Sequence, residues 1–515
     1  MEHETSKDEN SQLEFEEVKT DNRDEKAPAL TWINDAVIYY ILPDRFASSW
    51  KEINYTIEKF DEYGNKTQGI YAGTIQGITD NIDYILKLGI NCICLNPFLA
   101  MDAYDDNSDP KDNNINPTLG SGRDFEFMVG LCHNCNIKVI VEGLYHYCLG
   151  KKESSEYTDE KVEEGIENNK VEDIENNIVE NKENKTVEGI KNNLVEGIEN
   201  KIVEDIENDI VEDIENNIEE NKENNIKFNI QKNNEKNKKF GIEKYDIQVC
   251  KNWLDYYKVD GLFIDINEHK GEQSDTFYRL VKKMIPDFLI IAYGDERENN
   301  VHSIDYIDAL LNRGFYNDCK KFFALNSIDS YKFNKNVTHS ETQDSTNTSY
   351  IQINYLDNIR TPRFLTECKN ELSRYMLSVL YLMTTVGIPF ILYGDEQLLA
   401  GVGEVERLST MQWDEENELF AFFKATIFVR KQLKALRSGK YRTVLAEQGS
   451  MLMIYERYTE EENITIVMNA GGSEVAVDLN MENRMLIWQY GLENSRLSPY
   501  GFVILRQKLT ESPVQ

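Results

Sequence analysis

The sequence predicts an α/β protein, a (β/α)8 TIM barrel followed by a C-terminal antiparallel β-sandwich domain. Short apolar runs rich in β-branched and aromatic residues alternate with segments of helical spacing, on both sides of a long polar interruption. That alternation is the pattern of parallel βα units, and its extent along the 515-residue chain suits a closed barrel. Beyond residue 439 it gives way to short strands and turns, which predicts a small antiparallel domain.

Residues 1–30 are acidic and almost free of aromatic side chains, and are expected to form a disordered tail. Residues 31–150 hold the first part of the barrel. An apolar strand at 36–42 is closed by Pro43-Asp44-Arg45-Phe46; helical spacing at 82–88 precedes a strand at 90–95, and a helix at 125–135 precedes one at 137–141. Residues 241–436 carry the remainder, with helices at 253–257, 277–284 and 372–383 leading into strands at 261–264, 288–292 and 390–393. The C-terminal β-domain takes residues 437–515, with strands at 451–455 and 463–468.

Residues 151–240 are of another kind. Copies of one octad, such as Ile178-Val179-Glu180-Asn181-Lys182-Glu183-Asn184-Lys185 and Ile202-Val203-Glu204-Asp205-Ile206-Glu207-Asn208-Asp209, repeat from about residue 170 to 233. Eight residues advance a helix by two turns and about 80°, so the apolar positions rotate round its axis and hold no single seam. With 26 acidic and 14 basic residues, the segment is expected to be an expanded, largely disordered insertion rather than a helical protein-binding arm.

Composition excludes several partners. A formal net charge of −35 repels the phosphates of nucleic acid and anionic membrane surfaces, and leaves a neutral ligand compatible. No apolar run is long enough to span a bilayer and the N-terminus has no secretory pattern, so a cytoplasmic location is expected. The eight cysteines are scattered as small buried hydrophobes. Cys132-His133-Asn134-Cys135 lacks the second pair that zinc would need and is expected to be part of a structural helix.

The chemistry rests on a few segments. Asn354-Tyr355-Leu356-Asp357-Asn358-Ile359-Arg360-Thr361-Pro362-Arg363-Phe364 closely resembles the N-F-L-D-N-H-D-T-x-R-F segment of the α-amylase family, glycoside hydrolase family 13, and in particular its neopullulanase and cyclomaltodextrinase branch. Pro43-Asp44-Arg45-Phe46, Gly387-Ile388-Pro389-Phe390-Ile391-Leu392-Tyr393-Gly394-Asp395-Glu396 and Met411-Gln412-Trp413-Asp414 resemble further motifs of that family, in the same order. The resemblance runs from Asp35 to the C-terminus, the insertion apart.

What it implies for the site is mixed. Retaining glycosidases need a carboxylate nucleophile and a second carboxyl group as acid/base, a little over 5 Å apart. Val259-Asp260-Gly261-Leu262-Phe263-Ile264-Asp265 matches D-G-x-R-x-D, which places Asp265 at the nucleophile position and Phe263 where an arginine would stand. Pro286 to Tyr293 aligns with P-D-x-x-I-x-G-E and puts Tyr293 at the acid/base position. Ile359 and Arg360 replace the His-Asp pair, the Asp of which would favour the transition state. Glu142, His146 and Tyr147 fall on the third-strand motif D-x-V-x-N-H and, with Phe263 and Ile359, are the expected substrate-binding positions. Asp295 and Glu296 either supply a replacement acid or form a solvated turn; His146 is either a base or a hydrogen-bonded structural histidine.

Three functions are then open. One is an α-glucan-binding protein of carbohydrate metabolism whose catalysis is impaired because only the nucleophile Asp is kept. The others are a weakly active α-glucan hydrolase with a relocated acid/base, and a non-enzymatic interaction scaffold. No cofactor or metal is implied, and a calcium requirement, the particular glucan and the oligomeric state stay open. The pocket is expected to be aromatic, with Arg360 paired to Asp265.

Overall fold

The computed structural model describes residues 31–48, 57–60, 66–70, 72–99, 115–144, 244–266, 272–294, 306–343, 350–479 and 481–509. The acidic first thirty residues, the octad segment, Tyr145, His146, Tyr147, Asp295 and Glu296 lie outside them, so the expectations placed on those residues do too.

Eight parallel strands close a barrel: β1 Ile38–Ile41, β2 Cys92–Leu95, β3 Lys138–Glu142, β4 Gly261–Asp265, β5 Leu289–Tyr293, β6 Ala309–Leu311, β7 Ile351–Tyr355 and β8 Ile388–Leu392. Each pairs with its neighbours in sequence, and β8 returns to β1 through Ile38↔Phe390 and Tyr40↔Leu392. The strands are buried on both faces, which favours continuous Ile, Val and Leu over alternation. Six of the eight coincide with apolar runs legible in the sequence. The other two, β6 and β7, add to that reading: β6 is only three residues long, and β7 opens on the half-buried Ile351 and Gln352. Gly261 opens β4 where a Cβ would stand 2.7 Å from the Leu289 carbonyl oxygen, so close strand approach requires glycine there.

Helices cover the barrel. Ile82–Leu88 stops at Gly89, whose φ of +95° closes the helix in a left-handed turn. Gly122–Asn134 starts at a Ser121/Asp124 capping box, and Glu418–Gln432 starts at Asn417, which accepts from the Phe420 N–H at 2.8 Å. Cys132 lies buried at the end of the first of these two helices and Cys135 half-buried at its cap; burial pushes the Cys132 thiol up to about 12. Among the described residues no group of three or more His, Cys, Asp or Glu is arranged to hold a metal ion.

The C-terminal domain is a six-stranded antiparallel sheet: β9 Lys440–Ala446, β10 Leu452–Tyr458, β11 Glu462–Asn469, β12 Val475–Ala476, β13 Met485–Glu493 and β14 Arg496–Lys508. The order is β9-β10-β11-β14-β12, with β13 also on β14. One face joins the barrel core through Met453, Tyr455, Ile464, Ile466, Phe502 and Ile504. The other packs a small core of its own around Val467, Val503 and Leu505.

Two buried arginines hold the turn that follows Leu372–Thr384, Arg457 from the β-domain and Arg430 from within the barrel. Arg457 donates to the carbonyls of Thr384 (3.0 Å), Leu436 (3.1 Å) and Gly439 (2.8 Å), and Arg430 to those of Met383 (3.0 Å) and Gly387 (2.7 Å). They supply the donors that the C-terminal turn of Leu372–Thr384 lacks. Burial pulls the Arg430 guanidinium down to about 9.

Candidate active site

Barrel strands carry their reactive groups at their C-terminal ends. The last residues of three consecutive strands, Glu142 of β3, Asp265 of β4 and Tyr293 of β5, meet there. The register sets them side by side, since Glu142 pairs with Phe263, and Asp265 with Tyr293.

Asp265 is 2% exposed, and Arg360 holds it through an ion pair between a guanidinium nitrogen and Oδ2. The same nitrogen lies 3.3 Å from the Tyr293 hydroxyl, and the guanidinium carbon 4.8 Å from the centre of the Tyr293 ring. Arg360 arrives on the loop after β7. The Asn358 side chain turns that loop by accepting from the Arg360 N–H (2.7 Å) and the Thr361 N–H (3.0 Å), and Arg407 holds it by donating to the Ile359 carbonyl (3.1 Å). Ile359 itself is half-buried and packs against the core.

Glu142 is buried and accepts from three donors. The Tyr293 hydroxyl reaches Oε1 at 2.8 Å, while the Tyr40 hydroxyl and the Asn96 amide (3.5 Å) share Oε2. Asn96 also donates to the Tyr40 hydroxyl at 2.7 Å. Three converging donors suit an ionised, acceptor-only carboxylate. Burial, and then the Glu142 charge, push both phenols above their usual value near 10, with Arg360 partly offsetting this at Tyr293. Both therefore stay neutral donors at physiological pH. Beneath them, Phe263 stacks on Tyr293 with ring centres 4.7 Å apart, and on Phe390 at 5.9 Å.

The structure thus brings Asp265, Tyr293, Arg360, Glu142 and Phe263 into one cluster. The motif reading did not include Tyr40, Asn96 or Phe390. For Tyr40 a signal was present: in β1, Tyr39 and Tyr40 must face opposite sides. Tyr39 turns away to Glu396, 2.7 Å from its hydroxyl, and Tyr40 turns in to Glu142.

Below the site, Arg363 is 1% exposed and donates to Asp395 (2.7 Å) and to the carbonyls of Tyr393 (2.9 Å) and Arg407 (2.7 Å). Glu396 is fully buried, accepting from Tyr39 and, at 2.6 Å, from Tyr84. Trp413 packs edge-on against Phe46 and Tyr84, with ring centres 5.1 and 5.0 Å away. The segments 43–46, 387–396 and 411–414 are therefore packed together in one structural cluster.

Residues 40–278 match the Alpha-amylase family, described as alpha amylase, catalytic domain. The chain is 25% identical over 455 residues to a cyclomaltodextrinase of Thermoanaerobacter pseudethanolicus, covering 87% of this chain and 72% of the relative. It is 25% identical over 466 residues to neopullulanase 2 of Thermoactinomyces vulgaris, with the same shares covered. A solved cyclomaltodextrinase structure superposes with a TM-score of 0.63 at 22% identity, over 93% of this chain and 79% of that one, a likeness of fold. Motifs, barrel and relatives agree: residues 40–278 match the catalytic domain of the α-amylase family, and the chain is similar over most of its length to cyclomaltodextrinases and a neopullulanase.

Proposed function

We propose that this protein binds α-glucans at the strand ends and that its hydrolytic chemistry is impaired, making it a pseudoenzyme of carbohydrate metabolism. The observation that carries this is the Asp265–Arg360 ion pair. A nucleophile must present a lone pair to the anomeric carbon, and here the carboxylate is committed to a fixed cation. The acid/base position adds to it. Tyr293 is a phenol raised above its usual range and already donating to Glu142, so it offers no proton to a leaving glycosidic oxygen. Aromatic faces still stack on sugar rings, and the relatives' names speak of cyclomaltodextrin and pullulan as what those proteins act on.

The test is reducing-end release from maltoheptaose and pullulan, followed beside calorimetric titration with maltoheptaose. Binding is expected, weakened in Tyr293→Ala, with turnover absent or lower by at least the roughly 10²–10⁴-fold that acid/base assistance contributes. Robust turnover abolished by Asp265→Asn overturns the proposal. Turnover lost in Glu296→Gln would identify a relocated acid and a weakly active hydrolase instead.

A further inference from the structure

We propose that Arg360 is a tethered occupant of the sugar position, an internal cation whose removal opens the site to a cationic sugar analogue. This rests on the reading of the strand ends as a sugar site. The guanidinium lies between a buried carboxylate, Asp265, and the face of an aromatic ring, Tyr293, which are the two kinds of group that recognise a cation. By the family motifs, those two residues stand where the nucleophile and the acid/base would flank the reacting carbon. Positive charge develops there in glycoside cleavage. Arg360 thus supplies permanently, from within the chain, the kind of charge that such a site stabilises transiently.

Exposure separates this arginine from its neighbour in the same loop. The Arg363 side chain is 1% exposed and bound by three acceptors, so it belongs to the fold. That of Arg360 is 48% exposed and reaches the site from the solvent side on a long flexible stem. It can swing out, or be cut back, without opening the core. Asp265 is 2% exposed with Arg360 in place, so removing Arg360 uncovers a largely desolvated carboxylate and takes away the guanidinium facing it, the condition under which a small cation of the right shape gains most.

The experiment compares 1-deoxynojirimycin, a six-membered iminosugar that is protonated at pH 6, with its neutral isostere 1,5-anhydroglucitol. Both are titrated into the full-length wild type and Arg360→Ala, with Arg360→Gln as a second variant should the alanine fail to melt cooperatively. The iminosugar is expected to bind the variant at least about tenfold more tightly than the wild type, while the neutral isostere changes by less than about threefold. Adding Asp265→Asn is expected to remove that gain. An iminosugar affinity unchanged in a folded variant overturns the inference, as does a gain that survives Asp265→Asn. Failure of the glucan reading would look different: maltoheptaose would not bind the wild type, while the iminosugar gain in the variant still appeared.

Discussion

Glu396 gives the sharpest pH-dependent prediction. It is fully buried in the turn just after β8, and its Oε1 accepts from Tyr39 at 2.7 Å and Tyr84 at 2.6 Å. Oε2 has no hydrogen-bond partner among the described residues. Burial raises the carboxyl from its ordinary 4.5 to about 7; the two tyrosine hydroxyls pull against this, and neighbouring Asp395 adds to it. Moving a carboxyl that far corresponds to about 3 kcal/mol in favour of the protonated folded form. Because the folded value lies above the unfolded one, the stabilisation is complete below pH 4.5 and is lost as the pH rises through 7.

Glu396→Gln keeps an oxygen for both tyrosines and puts a neutral amide where the charge would form. Urea unfolding followed by tryptophan fluorescence between pH 5 and 8.5 should show the two proteins within about 1 kcal/mol at pH 5. The variant should be more stable by about 2–3 kcal/mol at pH 8.5, with equal denaturant slopes. Asp357, raised to about 6, and Asp395, also raised, weaken both proteins as the pH rises, and the repulsion between Asp395 and Glu396, absent from the variant, acts in the same direction as the difference expected. Parallel stability curves across the whole range would refute the reasoning, because Glu396 would then titrate as it does in the unfolded chain.

Other outcomes follow from the same geometry. Arg457→Met strips three carbonyls of a charged donor at the joint between barrel and β-domain, and is expected to cost roughly 3–5 kcal/mol in chemical denaturation, with Arg457→Lys recovering part of it. Tyr293→Phe leaves Glu142 with Tyr40 and Asn96, and is expected to cost about 1–2 kcal/mol in the same assay. Deleting residues 154–237 is expected to leave a cooperative melt near that of the full chain, since the barrel closes among the described residues and the octads hold no continuous apolar seam; aggregation of the deletion variant would count against that view of the insertion.

Much of the barrel was legible in the sequence because a strand buried on both faces reads as a short apolar run, and most of these strands are of that kind. β6 was not, because a strand of three residues makes too short a run to stand out. At the site, Asp265, Tyr293 and Arg360 were singled out by motif position, and the pairing of Arg360 with Asp265 was expected from those positions and their opposite charges. Tyr40 and Asn96 were not, since barrel closure carries Tyr40 to Glu142 across 102 residues of sequence. No local pattern records such a contact. The order of motifs says which strand ends meet, but not which hydroxyls settle on which oxygens once they do.

The loop after β7 carries both a residue of the candidate site and one that the fold is built through. It supplies two arginines three residues apart, each paired with an aspartate. Arg363 is bound on every side by groups that pack the barrel, and it sits close enough to Asp357 and Asp395 for their charges to raise its own affinity for a proton. Removing one partner of such a buried pair costs about 3–5 kcal/mol, which a domain of ordinary stability can scarcely bear. Arg360 stands half in water, where screening cuts the cost of altering it. A substitution there costs the fold less than one at Arg363 and changes what faces Asp265. Tyr293 ends β5 and Arg360 lies in the loop above the strands, whereas Phe263 sits inside β4 and is packed into the core against Tyr293 and Phe390. Arg360 is thus the residue of the candidate site that the core holds least, while Arg363, Asp395 and Glu396 are built into the packing of the barrel.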